Sequence, residues 1–181
     1  MKKIILASLM MLFGIASQAQ ETGNVTLNVK LHPIQTLIVN PAQDIVDLEY
    51  MSKDDYEDGV TSEVLEDHLE VFSTGGFAVT VKSSSAHLTT TAVGGAHGNI
   101  EANSIQIIPS SGTNAITNAT NTSIALSQSE QTIVSSVYGA VDKTINIEYK
   151  GADANAYINY YVAGQNPTVY TTQLTYTIVA Q

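Results

Sequence analysis

The side chains that could support catalysis or bind a transition metal are few in this sequence and poorly spaced. The four histidines are His32, His68, His87 and His97. They form no i, i+4 pair of a helical zinc site, and each is predicted to be a surface or turn residue. No Gly-x-Ser-x-Gly motif occurs, and zero cysteines exclude thiolate ligands, cysteine nucleophiles and disulfides. We therefore expect no catalytic residue, no metal centre and no cofactor.

A dense group of carboxylates offers a different chemistry, because hard oxygen ligands can bind Ca²⁺. Residues 44–70 contain eleven acids and Lys53 as their only basic residue. Within them, residues 54–59 set a turn-forming glycine beside four acids. The twelve-residue calcium loop nevertheless fails, since Tyr56 takes its third position and Leu65 its last, where a bidentate acid is required. A solvated acidic loop or short helix is the favoured interpretation, and calcium binding is left open.

The charge balance restricts the partners. All seven basic residues are lysines, against 17 carboxylates, so the net charge is −10 and the pI is near 4.5. Affinity for nucleic acid depends on Lys and Arg contacts with phosphates. The excess of carboxylates over basic residues therefore excludes DNA and RNA as partners. A composition of 44% hydrophobic and 13% charged residues is typical of a globular chain. The length of 181 residues predicts a single domain.

Residues 1–19 predict export. Lys2 and Lys3 precede an apolar run over residues 4–16, and small residues then precede a cleavage point before Gln20. This is the layout of a secretory signal peptide, and the apolar run is too short to cross a bilayer. No later apolar run reaches transmembrane length. We therefore expect a secreted protein.

The rest of the sequence alternates apolar and polar residues over short runs. A period of two predicts half-buried strands, and Gly-Gly, Ser-Gly and Asn-Pro pairs predict the turns between them. About a dozen short strands predict an all-β, immunoglobulin-like β-sandwich. The predicted strands are residues 25–32, 34–40, 45–50, 68–73, 77–83, 87–92, 105–109, 123–126, 132–135, 144–149, 156–162 and 169–179.

The first and last predicted strands are the most informative. The first alternates four apolar residues with polar ones: Val25, Leu27, Val29 and Leu31. The last places five residues on one face: Tyr170, Thr172, Leu174, Tyr176 and Ile178. We expect this last strand to be an open edge with unpaired backbone groups, which leaves the sandwich incomplete. The first strand can close that edge in its own chain or, by strand donation, in a neighbouring copy.

Both ends resemble the corresponding segments of chaperone–usher pilins. Residues 24–31, followed by 34–39, look like a donor extension and a first strand, and residues 170–178 resemble the terminal strand. The order of residues 46–50 and 76–81 is similar to that of the cysteine-free alternate pilins of the colonisation-factor type, and of small secreted fimbria-like proteins of the Bacteroidota. The resemblance implies a structural subunit of a cell-surface fimbrium, reached through the periplasm, that polymerises by donor-strand exchange and functions in adhesion.

The resemblance also implies a division of the chain and a set of partners. Residues 20–33 would be the donor-strand extension and residues 34–181 the pilin-like domain. The donor residues would be Val25, Leu27, Val29 and Leu31, and the acceptor edge would comprise Tyr170, Leu174, Tyr176 and Ile178. The partners would be copies of this chain or related subunits, with a periplasmic chaperone, an outer-membrane usher and a host or surface glycan receptor as further candidates.

A monomeric secreted binding module is the main alternative. The first strand would then pair inside its own fold, and a loop or sheet face would bind a carbohydrate or another surface. Tyr157 and Tyr161 fall on one face of a predicted strand and Tyr160 on the other, and exposed tyrosines can stack on sugars. Because aromatic residues on strands are more often core or cross-strand pairs, assembly is favoured over this alternative. A secreted hydrolase is the least favoured function.

Overall fold

The structure, a computed structural model, describes residues 21–91 and 98–181. The predicted signal peptide and His97 lie outside the described residues. The strands of these two ranges are β1 (Gln35–Val39), β2 (Leu65–Ser73), β3 (Phe77–Ser83), β4 (His87–Leu88), β5 (Ile100–Glu101), β6 (Gln106–Ser111), β7 (Thr120–Asn121), β8 (Ile124–Ala125), β9 (Gln131–Ser136), β10 (Ala140–Lys150) and β11 (Leu174–Ala180). The helices are α1 (Lys53–Asp58) and two 3₁₀ turns, Pro41–Gln43 and Ala102–Ser104. No helix in the described part of the chain is long and apolar enough to span a membrane.

Two antiparallel sheets make up most of the fold. The larger sheet has the strand order β1-β2-β10-β6-β8, and the smaller has the order β11-β3-β9-β7. A short third sheet pairs β4 with β5. Every pair of strands is antiparallel. The predicted all-β, sandwich-like fold is therefore confirmed.

The apolar core follows the period-two alternation of the strands. In β3, Phe77, Val79 and Val81 have no exposed surface, and they join Leu69 and Val71 of β2 in one cluster. Full burial of an apolar side chain of this size contributes about 1.5–3 kcal/mol. A cysteine-free chain can thus hold its two sheets together by packing.

Residues 45–50, a predicted strand, are extended but belong to no strand. Val46 and Leu48 are half-buried and pack against the core, whereas Ile45 is 78% exposed. The alternation therefore places the correct face inward, but no described strand pairs with this segment. The prediction was wrong because alternation specifies a buried face and not a hydrogen-bonded neighbour.

Residues 156–162, also a predicted strand, form turns. Asn155 and Asn159 have φ angles of 62° and 76°, which lie in the left-handed region and interrupt an extended chain. The last strand is shorter than predicted for a related reason, since residues 170–173 follow this irregular loop and β11 begins only at Leu174. The predicted strand at 87–92 is reduced to β4, and Ala92 lies outside the described residues.

The chain divides between Leu31 and His32 into two units. In the first, the described residues from Glu21 onward are exposed, and none is part of a strand. The second contains both sheets. Its first ordered contact is made by Ile34, whose N–H donates to Thr74 Oγ1 at 3.0 Å and whose carbonyl accepts from Thr74 N at 3.0 Å.

Candidate functional site

The end strands β1 and β11 of the two sheets are neighbours, and each has one unpaired edge among the described residues. Among the described residues, β1 bonds only to β2 and β11 bonds only to β3. The two strands belong to different sheets, yet Cα atoms of β1 lie within 8 Å of Cα atoms of β11. Their free N–H and C=O groups form what we term the edge seam, the open side of the sandwich between β1 and β11. Unpaired edges of this kind are ready to accept a further strand.

The side chains at the edge seam are apolar and only partly covered. Leu37 of β1 and Leu174, Tyr176 and Ile178 of β11 are half-buried, and all four pack against the core cluster. They leave an apolar strip beside unpaired backbone groups. An extended segment with apolar residues at every second position matches both features, because its backbone can pair with an edge while its side chains cover the strip.

Tyr170, the fourth predicted acceptor residue, lies outside β11. Its hydroxyl donates to the carbonyl of Tyr160 at 2.8 Å, and the two rings are 5.9 Å apart. The next residue, Thr171, bridges to Thr89. The structure therefore separates Tyr170 from Leu174, Tyr176 and Ile178. Tyr170 holds the loop before β11 and does not line the edge seam.

The four predicted donor residues are exposed. Val25 is 93% exposed, Leu27 86%, Val29 78% and Leu31 88%. No strand is assigned to residues 21–33. The four apolar residues stand at every second position of this segment, and all four side chains face solvent.

A β-bulge in β2 places one polar side chain near the edge seam. Asp67 has a φ angle of 50°, and the register between β2 and β10 shifts beside it. Asn146 Oδ1 accepts from Asp67 N at 2.7 Å, and Asp67 Oδ1 accepts from Thr113 N at 2.8 Å. The hydroxyl of Thr113 also donates to this carboxylate, which lowers the pKa of Asp67. As bulges do, this one redirects the next side chain, so that His68 and Leu69 are both buried.

His68 lies between two tyrosine rings. Its ring is 6.4 Å from that of Tyr149 on β10 and 5.8 Å from that of Tyr176 on β11, both edge-on. The two tyrosine hydroxyls are 2.5 Å apart, so this bond joins the two sheets directly beneath the edge seam. Burial lowers the pKa of His68 and raises the pKa of Tyr149 and of Tyr176. His68 Nδ1 also lies 3.1 Å from Gln43 Oε1.

His68 was predicted to be a surface or turn residue, and it is only 2% exposed. The prediction was wrong because the bulge at Asp67 reverses the alternation of buried and exposed side chains in β2. No residue pattern within the strand indicates this bulge. An aspartate directly before the apolar part of the strand is the available signal, since Asp adopts the left-handed region more readily than most residues. That signal alone does not locate a bulge.

The acidic segment contains the only α-helix of the described residues. Ser52 caps α1, because its Oγ accepts from Asp55 N at 3.2 Å while Asp55 Oδ2 accepts from Ser52 N at 2.6 Å. The backbone donors of Ser52 and Met51 lower the pKa of Asp55. No group of three or more His, Asp and Glu side chains able to hold a metal ion lies within residues 21–91 and 98–181. Asp55 completes the capping box of α1.

The tyrosines proposed for sugar stacking do not share a strand. The ring of Tyr157 packs edge-on against Tyr50 at 5.0 Å and against Tyr160 at 6.4 Å. Its hydroxyl lies 2.7 Å from Ser104 Oγ. These rings pack edge-on against each other and hold the loop together, so they do not present a flat face for stacking on a sugar. Tyr161 is 57% exposed.

One shallow depression is lined by residues that include Ala86, Glu101 and Leu126. Its volume is ≈ 160 Å³. Sites for small organic ligands usually have about 300–1,000 Å³. The depression is thus smaller than a typical ligand pocket, and the edge seam is the stronger candidate site.

The similarity of this chain to known proteins is low. No family model matches the sequence, and no curated protein matches it. A solved chain from the structure of a chaperone–usher pilus is similar to 90% of this chain, over 97% of its own length, with 14% identity and a TM-score of 0.41. We therefore infer the function from the geometry of the chain itself.

Proposed function

We propose that this protein is a non-catalytic structural subunit of an extracellular fibre, and that its copies polymerise by strand donation. Residues 25–31 of one copy lie in the edge seam of the next. The observation that carries the proposal is the coexistence of an exposed alternating segment and an apolar edge seam that lacks a strand. The segment of one copy supplies the strand that the edge seam of a second copy lacks. The edge seam in turn covers the apolar side chains of that segment.

The strand order supports this proposal. In an immunoglobulin-type sandwich, one sheet has the order A-B-E-D and the other contains C, F and G. Here β1-β2-β10-β6 follows A-B-E-D, and β3-β11 follows C-F. The place beside β11 that strand G would take has no strand among the described residues. A donated strand in that place would run antiparallel to β11, as G does to F.

The lengths of the two segments also support it. Residues 25–31 and β11 each have seven residues. If Leu31 pairs with Leu174 in an antiparallel register, Val29 meets Tyr176 and Leu27 meets Ile178. Val25 then meets Ala180. Residues opposite each other in a sheet share a face, so this register places Leu27, Val29 and Leu31 against the half-buried strip of the edge seam and Val25 beside the exposed Ala180.

The expected gain in free energy is large enough for a stable fibre. Burying one Val or Leu side chain contributes about 1.5–3 kcal/mol, so four contribute on the order of 6–12 kcal/mol before the cost of association. Backbone hydrogen bonds along β11 add to this. A partner with these properties dissociates slowly, since affinity differences reside mostly in the rate of dissociation.

The test uses matched pairs of substitutions on the two faces of the donor segment. The double variant Leu27→Asp, Val29→Asp introduces charge on the apolar face and is expected to abolish ladders that resist SDS without boiling. The control Thr26→Asp, Asn28→Asp introduces the same charge on the polar face and is expected to retain them. Deletion of residues 20–32 should abolish the ladders as well. A parent protein that remains monomeric, with residues 25–31 protected from protease, would instead indicate a self-contained module.

Export through the periplasm, with a chaperone that covers the edge seam before assembly and an outer-membrane usher, is the route we propose. An apolar strip beside free backbone groups would otherwise aggregate during export. A periplasmic chaperone that copurifies with the deletion of residues 20–32, and is displaced by a peptide of that sequence, would support this route. Failure of the peptide to displace it would argue against a shared binding place.

A further inference from the structure

We propose that two exposed apolar surfaces at opposite ends of the sandwich form a second contact between successive copies. This inference rests on the proposed strand donation. The hairpin pole, defined as the turns at residues 74–76 and 137–139 with Ile34 and Val141, belongs to the copy that donates its strand. The loop pole, defined as α1 and residues 151–173, belongs to the copy that receives it.

The hairpin pole is apolar and rigid. Val137 is 75% exposed, Tyr138 62% and Val141 63%. The turn that carries them packs closely on the neighbouring turn, since a side chain at Gly139 would lie 2.6 Å from Ser73 O. Large exposed side chains on a tightly packed turn form a surface that is ready for contact without reordering.

The loop pole exposes a second apolar group at the other end of the strands. Tyr161 is 57% exposed, Ile158 48% and Val169 59%. The bond from Tyr170 to the carbonyl of Tyr160 holds this loop together. The loop leads directly into Leu174, the first residue of β11, so the loop pole adjoins one end of the edge seam.

The short link between the donor segment and its own sandwich brings the two poles together. In the antiparallel register, Leu31 lies beside Leu174 at the receiving copy's loop pole. Ile34 is already anchored to Thr74 at the donating copy's hairpin pole. Only His32 and Pro33 separate these points, and three residue steps span about 10 Å at most. At that separation the side chains of the two poles must meet.

The charges at this contact are complementary. Lys30 lies on the polar side of the donor segment, near the end that reaches the loop pole. α1 presents acidic residues there, and it is tied to the loop by the bond from Ala154 N to Glu57 O at 2.8 Å. Opposite charges steer association and fix its orientation. A parallel insertion would place Lys30 at the hairpin pole, away from α1.

The experiment uses the full chain, which has no cysteine of its own. The variant Tyr138→Cys, Tyr161→Cys places one thiol at each pole, at positions exposed enough to tolerate the change. A short bis-maleimide is then added to the assembled protein. Strand β10 runs between the two ends over eleven residues, roughly 35 Å at 3.3 Å per residue, so any short cross-link joins different copies. The control Tyr138→Cys, Thr132→Cys places the second thiol on an exposed position of β9, opposite Thr80 in the middle of β3.

Ladders that survive boiling in the 138–161 variant, and do not in the control variant, are the expected result. Ladders that resist SDS but disappear on boiling after cross-linking would overturn the pole contact while leaving strand donation intact. Absence of both kinds of ladder would overturn both proposals. Boiling-resistant ladders formed without the SDS-resistant kind would support the pole contact and contradict strand donation.

Discussion

Residues 25–31 and strand β3 have similar binary patterns and opposite surroundings. Residues 25–31 place an apolar residue at every second position, and β3 does the same at Phe77, Val79 and Val81 but also contains Ala78 and ends in Ser83. In β3, Phe77, Val79 and Val81 are wholly buried, and the strand has β11 on one side and β9 on the other. In residues 25–31 the four apolar side chains are at least 78% exposed, and no strand is assigned.

The difference between the two segments shows what alternation does and does not specify. It decides which side chains share a face of an extended chain. Burial of that face requires neighbouring strands, and these are supplied by distant parts of the sequence. β11 is intermediate between the two segments, because it has one paired edge and one free edge.

The largest expected effect comes from placing the same charge on each segment. Val79→Asp buries a carboxylate without a partner in the core, and the protein should fail to fold. Leu27→Asp alters an exposed residue, so the subunit should fold but assemble poorly. Circular dichroism measures folding, and SDS-resistant ladders measure assembly. A Leu27→Asp variant that unfolds would show that residues 25–31 belong to the fold of their own chain.

Hydrogen exchange should separate the two segments by at least about a thousandfold in unassembled protein. Amides of β3 exchange only on opening that approaches global unfolding, whereas unpaired amides exchange freely. In assembled fibres the amides of residues 25–31 should become as slow as those of β3, while residues 21–23 stay fast and serve as the control. Fast exchange of residues 25–31 in fibres would contradict strand donation.

A smaller effect is expected from the hydroxyl pair that joins β11 to β10. Tyr149→Phe or Tyr176→Phe leaves one buried hydroxyl without its partner, which costs about 1–3 kcal/mol. The double variant should cost less than the sum of the single changes, since it leaves neither hydroxyl unpaired. Urea denaturation measures all three. Additive losses would mean that the two hydroxyls act independently.

The smallest expected effect is a gradual dependence of stability on pH through His68. Burial holds the pKa of His68 below 6.5, its ordinary value, and the groups around it, Gln43, Tyr149 and Tyr176, carry no charge near that pH. Below about pH 6.5 the unfolded chain binds a proton that the folded chain does not, so the free energy of unfolding falls as pH drops.

The variant His68→Gln tests this prediction, because it removes the buried imidazole. It should flatten the pH dependence of the free energy of unfolding relative to the parent protein. Chemical denaturation of both proteins at pH 5 to 8 measures the two slopes. Equal slopes in His68→Gln and the parent protein would show that another group titrates.

Strands with a strong pattern and two neighbours were predicted well. The predicted bounds of β3 agree with the structure, and β10 was identified although it extends further at both ends. Residues 156–162 were predicted as a strand from their tyrosines and aliphatic residues. They form turns because Asn155 and Asn159 take left-handed conformations and the rings pack on one another, which a propensity for strands does not reveal.

Of the candidate site, the apolar faces were predictable and their surroundings were not. Leu174, Tyr176 and Ile178 share a face of β11, as their spacing requires. That Tyr170 leaves this face depends on its contact with Tyr160. That His68 enters the core depends on the bond that Asp67 accepts from Thr113 and the bond that it donates to Asn146. These contacts join residues far apart in the chain, and no local pattern encodes them.

The amino-acid sequence by itself determined an all-β chain, the apolar face of each strand and the absence of cysteine chemistry, because a period of two and a composition are local properties. Only the tertiary structure decided that, within residues 21–91 and 98–181, β1 and β11 keep free edges and residues 45–50 pair with no strand. It also decided that apolar surfaces lie at both poles. Edges and poles arise from how distant strands pair. Pairing depends on hydrogen bonds and packing between segments that the chain brings together only when it folds.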